Sequence, residues 1–308
     1  MLKKRVMNLT QRVINHGIQA KIDELRFTVG AMESRLATLL PHPERLQDTE
    51  YKVFSQGGED GILEFLTSRL SPPDVFIEIG VGDYTESNTR FLAMKDNWRG
   101  AIIDSGTAHI DFLRCNGMAW RWSISPVSAF VTAENINELI HGAGIEGEIG
   151  VLSIDIDGVD YWVWKAISTV SPWVVVIEYN SVFGPDNAVT VPYDPEFVSS
   201  EAHHSLQFYG ASLSALHHLG VARGYRLVGV GSNGVNAFFV RNDVAGHLWD
   251  LSPSQAFVRS RVRTARGADG KLTYTGDDHG QVLHSMRDKL LHVVDMRSNL
   301  PIAEVFGI

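Results

Sequence analysis

The chain has 308 residues, of which 44% are hydrophobic and 20% charged, enough to bury one large core with a small appendage. Its formal net charge of −9 is spread over mixed-sign segments, which argues against electrostatic binding to nucleic acid or an anionic membrane and for a small-molecule partner. A single cysteine, Cys115, excludes an intrachain disulfide, and no run approaches the ~18 apolar residues of a membrane span, so a cytoplasmic address is expected.

Apolar residues at Ile18, Ile22, Leu25, Val29, Met32, Leu36 and Leu39 alternate steps of four and three, a heptad-like stripe. Gly17 is expected to separate this helix from a shorter one carrying Leu2, Val6, Leu9 and Val13, and Pro41 and Pro43 to end it. Residues 1–48 thus read as a helical appendage, packed on the chain's own core or against a second copy in a homo-oligomer, and 49–308 as the main domain. From Tyr51 onward strand-like and helix-like segments alternate, the pattern of an α/β, doubly wound, mainly parallel sheet. Seven strands are expected, at 75–79, 100–104, 118–123, 150–155, 174–178, 225–230 and 236–240. Helices are expected at 58–69, 86–94, 136–141, 161–167 and 212–223. Gly231-Ser232-Asn233-Gly234 joins the last two strands as an antiparallel edge hairpin. Beyond residue 250 the pattern predicts a basic loop with Arg259, Arg261, Arg263 and Arg266, a helix at 280–293 and a tail.

The segment from Val75 to Ile79 is apolar except for Glu78, after which Gly80-Val81-Gly82 bends the chain toward a helix. In an open parallel sheet, crevices form at the carboxyl ends of strands, and glycines let the backbone approach a ligand. Amides near Ser87, Asn88 and Thr89 would suit a carboxylate or phosphate. The dinucleotide fingerprint fails, because Thr85 stands where the third glycine belongs. Asp104 ends the next strand and is placed to accept the ribose hydroxyls of a nucleoside. An NAD(P)-dependent oxidoreductase on a similar sheet is the competing reading of this loop, and a non-catalytic assembly component is the competing reading of the heptads.

A second motif ends one buried strand in Asp155 and Asp157 and the next in Glu178 and Asn180. Oxygen ligands converging on one rim could hold Mg2+, which lowers the pKa of an acceptor hydroxyl and fixes its position. The competing reading has Asp155 and Asp157 capping the following helix. His203 lies in a polar loop placed to cover an acceptor, where it could act as general base or stay exposed. Tyr161, Trp162 and Trp164 could stack on a ring or pack helix against sheet, and the arginines past 250 could hold phosphates or form a solvated loop.

The blocks YKVFSQGGEDGILEFL at 51–66, VFIEIGVGDYTESNTRFL at 75–92, WRGAIID at 98–104, VLSIDIDGVDYWVW at 151–164 and VVVIEYN at 174–180 resemble the FkbM-like family of class I S-adenosylmethionine-dependent methyltransferases. That resemblance implies a Rossmann-like fold and O-methyl transfer to a sugar, a glycosylated metabolite or a nucleotide-linked sugar. On it, Glu78, Gly80 and Gly82 line the methionine end of the cofactor and Asp104 binds its ribose. Ser55 and Gln56 close over it, Asn88 lies near its carboxylate, and Ser123, at the end of the third strand, meets the adenine edge. The Asp-x-Asp spacing followed by a later acid is similar to magnesium-dependent sugar O-methyltransferases. It implies that Asp155, Glu178 and Asn180 hold the metal, that Asp155 also touches the cofactor, and that Asp157 is the base. Asn180 departs from that pattern, in which a second acid is usual.

Overall fold

The computed structural model describes residues 2–37, 39, 43–115, 118–260, 265–274 and 278–308, with side chains from residue 18 onward. Its centre is a seven-stranded sheet of β1 (Val75–Ile79), β2 (Arg99–Asp104), β3 (Ile124–Ser128), β4 (Gly147–Ile154), β5 (Val170–Glu178), β7 (Tyr225–Val230) and β8 (Asn236–Arg241). The strand order is β3-β2-β1-β4-β5-β8-β7, with β8 antiparallel to both neighbours and the other pairs parallel. This is the Rossmann-like doubly wound sheet with an antiparallel hairpin at one edge. The chain leaves β1 toward β2 on one side and later returns to β4 on the other. The loops after β1 and β4 therefore diverge and open a crevice between their ends.

Alternate strand residues feed two cores, one on each face. Ile77, Ile79, Val175 and Ile177 pack with Trp164 and Leu216, while Phe76, Val174 and Val176 pack with Ile62, Leu63 and Phe238. Both faces are covered, so the strands read as continuous apolar runs. The covering helices are α2 (Glu59–Leu70), α3 (Arg90–Asp96), α4 (Thr107–Cys115), α5 (Met118–Arg121), α6 (Ile136–Gly142), α7 (Asp160–Ala166) and α9 (Leu213–Ala222).

Several elements differ from the expectations, among them α3, which starts at Arg90 and not at 86. Residues 118–121 form the short helix α5, and the third strand begins at Ile124. The Pro126 inside that strand is tolerated because β3 is an edge with one partner. The expected helix at 280–293 stops early, as α11 (His279–Ser285), and Leu290–Val293 becomes β9. There β9 pairs with β6 (Val189–Thr190) and β10 (Ser298–Pro301) in a separate three-stranded sheet, whose partners override local helix preference. Short helices α8 (Ser199–Ala202), α10 (Pro253–Ala256) and α12 (Ile302–Phe306) complete the chain.

The N-terminal α1 (Leu2–Ala37) runs unbroken through Gly17, a residue that costs a helix interior only ~1 kcal/mol. Its heptad stripe is not the face that docks: Ile18, Ile22, Leu25, Val29, Met32, Leu36 and Leu39 are all exposed. The opposite face holds the body. Asp23 pairs with buried Arg90 at 2.5 Å, Phe27 meets Phe91 edge-on, Gly30 lies against Val53, and Ser34 Oγ donates to Glu64 at 2.6 Å. No helix among the described residues is long and apolar enough to cross a membrane.

Candidate active site

The switch point is built by two close-packed loops. After β1 the chain turns through Gly80 at φ +86, where a Cβ would lie 1.6 Å from the Asp155 carbonyl oxygen. Only glycine fits that approach of the β1 and β4 ends. Gly82, at φ +53, faces open space and donates its amide to Asp104 Oδ2 at 2.8 Å. Gly106 N donates to the other oxygen of Asp104 at 2.7 Å, which fixes the carboxylate at the end of β2.

Glu78 has a structural role that the spacing alone did not reveal. Its Oε1 accepts Asn88 N at 2.8 Å, and its Oε2 accepts Ser87 Oγ at 2.6 Å and Thr89 N at 3.1 Å. Burial pushes its carboxyl pKa up, against the pull of those donors. The amides expected to greet an anion are thus already taken by the protein's own carboxylate. With α3 starting only at Arg90, the phosphate seat of a dinucleotide fold is closed. Asn88 instead reaches across to Ser153 Oγ at 3.0 Å.

Two cavities meet at this turn. The first, about 320 Å³, is lined by Ile103, Asp104, Phe130, Val131 and Phe197 and reaches from the ends of β2 and β3. The second, about 780 Å³, is lined by Gln56, Glu78, Asn88 and Asn236, with Gln19 and Arg26 of α1 on its rim. Gly80, Gly82, Asp155 and Asp157 line both. Carboxylate oxygens of Asp155, Asp157 and Glu178 lie within 4.8 Å of one another, a spacing that suits oxygen coordination of one divalent cation. Asp157 holds a left-handed backbone, φ +52, uncommon for a non-glycine and frequent where a site over-determines the chain. The following helix α7 starts after Val159, which offers no side-chain cap, and its first residue, Asp160, ties down the preceding turn. It is buried, accepts Ile156 N at 2.8 Å and Gly158 N at 2.9 Å, and is pushed by burial to a pKa of about 6.

Other expected site residues lie elsewhere. Ser123 precedes β3, at the end of the sheet opposite Asp104, and lines neither cavity, whereas Phe130 and Val131, which follow β3, line the first. Ser55 is fully buried, and its hydroxyl is bound to Asp60 Oδ2 at 2.6 Å; the same oxygen accepts the amides of Val53, Phe54 and Ser55. Asn180 is spent on the backbone: its Nδ2 donates to Gln207 O and Tyr209 O, both at 2.9 Å, and its Oδ1 accepts Val182 N at 3.0 Å. It ties down the 207–210 loop and lines neither cavity. His203 lines neither cavity. Its Nδ1 accepts Ser205 N, and burial beside His204 and Lys289 lowers its pKa to about 4, which makes it a poor base. Trp162 donates to Val191 O and packs on Tyr193 and His292, and Trp164 is core, so the tryptophans take their packing reading. Arg261 and Arg263 lie outside the described residues.

Four cavity residues had no signal in the sequence pattern: Gln19 and Arg26 on a helix that looked peripheral, Phe197 in a loop, and Asn236, brought beside Glu178 only by the pairing of β5 with β8.

No family model matches the chain, and no curated protein matches it. Solved structures do. An O-methyltransferase from Bacillus cereus in complex with SAH is 17% identical, over 70% of this chain and 88% of that one, at a TM-score of 0.37. The O-methyltransferase TomG from Streptomyces achromogenes, involved in tomaymycin synthesis and solved with SAM, is 16% identical over 68% and 96%, at 0.39. The N-terminal domain of EvdMO1 with SAH bound is 11% identical over 67% and 93%, also at 0.39.

Proposed function

We propose that this chain is an O-methyltransferase that moves the methyl group of S-adenosylmethionine to a hydroxyl of a small polar acceptor, with Mg2+ assisting. The observation that carries this reading is the junction of the two cavities. One is about 320 Å³ and is lined by Asp104, Phe130 and Val131, which on this reading meet the ribose and the adenine, and the other has carboxylates around an open chamber. A nucleoside with a short charged tail fits the first cavity and crosses the Gly80-Gly82 turn, so its sulfonium would lie beside Asp155 and Asp157. The resemblance to the FkbM-like family supports a sugar or nucleotide-linked sugar as the acceptor.

Methyl transfer forms an O–CH3 bond as the S–CH3 bond breaks, leaves S-adenosylhomocysteine, and releases the hydroxyl proton. The reaction needs the acceptor oxygen in line with the methyl group, so positioning is the larger part of the catalysis. Asp157, open to both cavities, takes the proton. Asp155 and Glu178 hold the metal with Asp157 close by, and the chemistry the ion supplies when bound is a lowered acceptor pKa. Asp160 keeps the turn that carries Asp157 in shape. The exposed stripe of α1 supports self-association of two copies through that helix; a monomer by light scattering at high concentration would remove that part.

Calorimetry with S-adenosylmethionine tests the central claim. Binding is expected, and folded protein that shows no heat at millimolar cofactor would overturn it. Tight NADH binding in the same experiment would instead favour an oxidoreductase.

A further inference from the structure

Asn236 opens β8 directly opposite Glu178 of β5, so the two side chains stand on the same face of the sheet as an antiparallel pair. It is 2% exposed and lines the chamber that also contains Asp155 and Asp157. Its Nδ2 donates to Glu59 Oε1 at 3.1 Å, whereas its Oδ1 is buried without a hydrogen-bond partner among the described residues. A buried carbonyl oxygen left unmatched is costly and calls for an explanation.

The orientation of that amide is forced. Glu59, fully buried at the start of α2, accepts Gly57 N on Oε2 at 2.6 Å and both Asn233 Nδ2 and Asn236 Nδ2 on Oε1. A flipped Asn236 would set a carbonyl oxygen against a carboxylate oxygen. Asn233 is fixed in turn, because its own Oδ1 accepts Val235 N at 3.2 Å. Glu59 therefore turns the Asn236 carbonyl away from itself, on the face that Glu178 shares.

We propose that Asn236 Oδ1 is a neutral oxygen ligand of the divalent cation held by Asp155 and Glu178 beside Asp157, and that Glu59 is the residue that positions it. The inference rests on the cation reading above and supplies the neutral donor that Asn180 cannot. Hard divalent cations accept amide oxygens alongside carboxylates, and a partner that orients a ligand affects affinity almost as strongly as the ligand itself.

The test is a titration of the full chain with Mn2+ alone, read by electron paramagnetic resonance, with thermal melting of every variant. Asn236→Ala is expected to weaken Mn2+ binding about tenfold, and Glu59→Gln by a similar factor although it never touches the ion. The double variant Glu59→Gln with Asn236→Asp exchanges donor and acceptor in the bond between these two residues, gives up the bond from Asn233 Nδ2, and puts a charged oxygen on the ion. It is expected to bind at least as tightly as the wild type. Asn236→Asp alone adds the same charge but sets two carboxylates against each other, and it is expected to bind Mn2+ more weakly than the double variant, which separates positioning from added charge. If Asn236→Ala binds Mn2+ like the wild type while Asp155→Asn abolishes binding, Asn236 is not a ligand although the site is real. A double variant no tighter than Glu59→Gln alone overturns the positioning role. A wild-type protein that ignores Mn2+ but binds S-adenosylmethionine overturns the cation site and this inference together, and leaves methyl transfer standing.

Discussion

Replacing Gly80 and Gly82 separately by alanine should split stability from cofactor binding. At Gly80 the new methyl would sit 1.6 Å from the Asp155 carbonyl oxygen, so the β1 and β4 ends must open by about 1.4 Å to reach the 3.0 Å that real Cβ contacts require. That opening breaks the bond from Asp155 N to Ile79 O, now 3.0 Å, and removes ~1 kcal/mol. The left-handed backbone adds ~1–2 kcal/mol and the overpacking ~1–3 kcal/mol. A total of about 3–6 kcal/mol is a large part of a typical 5–15 kcal/mol stability and corresponds to a fall in Tm of about 10 °C. Gly82→Ala meets no atom within 4 Å and bears only the backbone cost, a shift of about 3 °C. Its methyl nevertheless enters the space shared by both cavities, so S-adenosylmethionine affinity should fall about tenfold. Differential scanning fluorimetry and calorimetry measure the two effects. Equal Tm losses in both variants, or unchanged affinity in Gly82→Ala, would refute the assignment of Gly80 to packing and Gly82 to the ligand.

Asp104→Ala should weaken S-adenosylmethionine by at least about tenfold in calorimetry, since hydrogen bonds to a charged group contribute ~1.5–3 kcal/mol, and lower Tm because the Gly82 and Gly106 amides lose their acceptor. Chelator-treated protein should transfer methyl far more slowly than protein supplied with Mg2+. Asp157→Asn should reduce kcat by about a hundredfold in a radiolabelled methyl assay while leaving the cofactor Kd in place. His203→Gln should leave turnover at pH 7 unchanged. The folded-state pKa of His203, about 4, lies below the ordinary 6.5, so protonation favours the unfolded chain and this group destabilises the fold as pH falls from 6.5 toward 4. Melting curves of His203→Gln over that range should therefore fall less steeply with acidification than those of the wild type.

The strands that carry the switch point were legible because they are long apolar runs closed by glycine or acid. The bounds of β1 and β7 match the expected 75–79 and 225–230, and both motifs end facing one crevice. The third strand was not legible. Met118-Ala119-Trp120-Arg121-Trp122 looks like a buried segment but leaves Trp120 87% exposed, whereas Ile124-Ser125-Pro126-Val127-Ser128 looks broken and is a strand. Edge position cannot be read from one segment, and it alone decides whether a proline is allowed. Ser123 was misplaced with that strand. The stripe on α1 was legible as a helix but not in its direction. Periodicity shows that two faces differ, while docking was decided by the ion pair of Asp23 with Arg90 and the small residues Gly30 and Ser34.

The asparagines show where local spacing stops being informative. Asn180 follows Glu178 by two residues, the separation that keeps a side chain on one face while a strand continues. The strand does not continue: β5 ends at Glu178, Asn180 starts a 3-10 turn at Ser181–Phe183, and its amide is consumed by carbonyls at 207 and 209. A residue with the same functional group reaches Glu178 from Asn236 instead, through the register of an antiparallel pair and a carboxylate at Glu59 that fixes its rotation. Those three residues come from three separate blocks of sequence, and only the folded sheet brings them together. If the exchange of charge between Glu59 and Asn236 preserves cation binding, the neutral oxygen of the site is set by this long-range pairing and not by the Asp-x-Asp and Glu-x-Asn spacing.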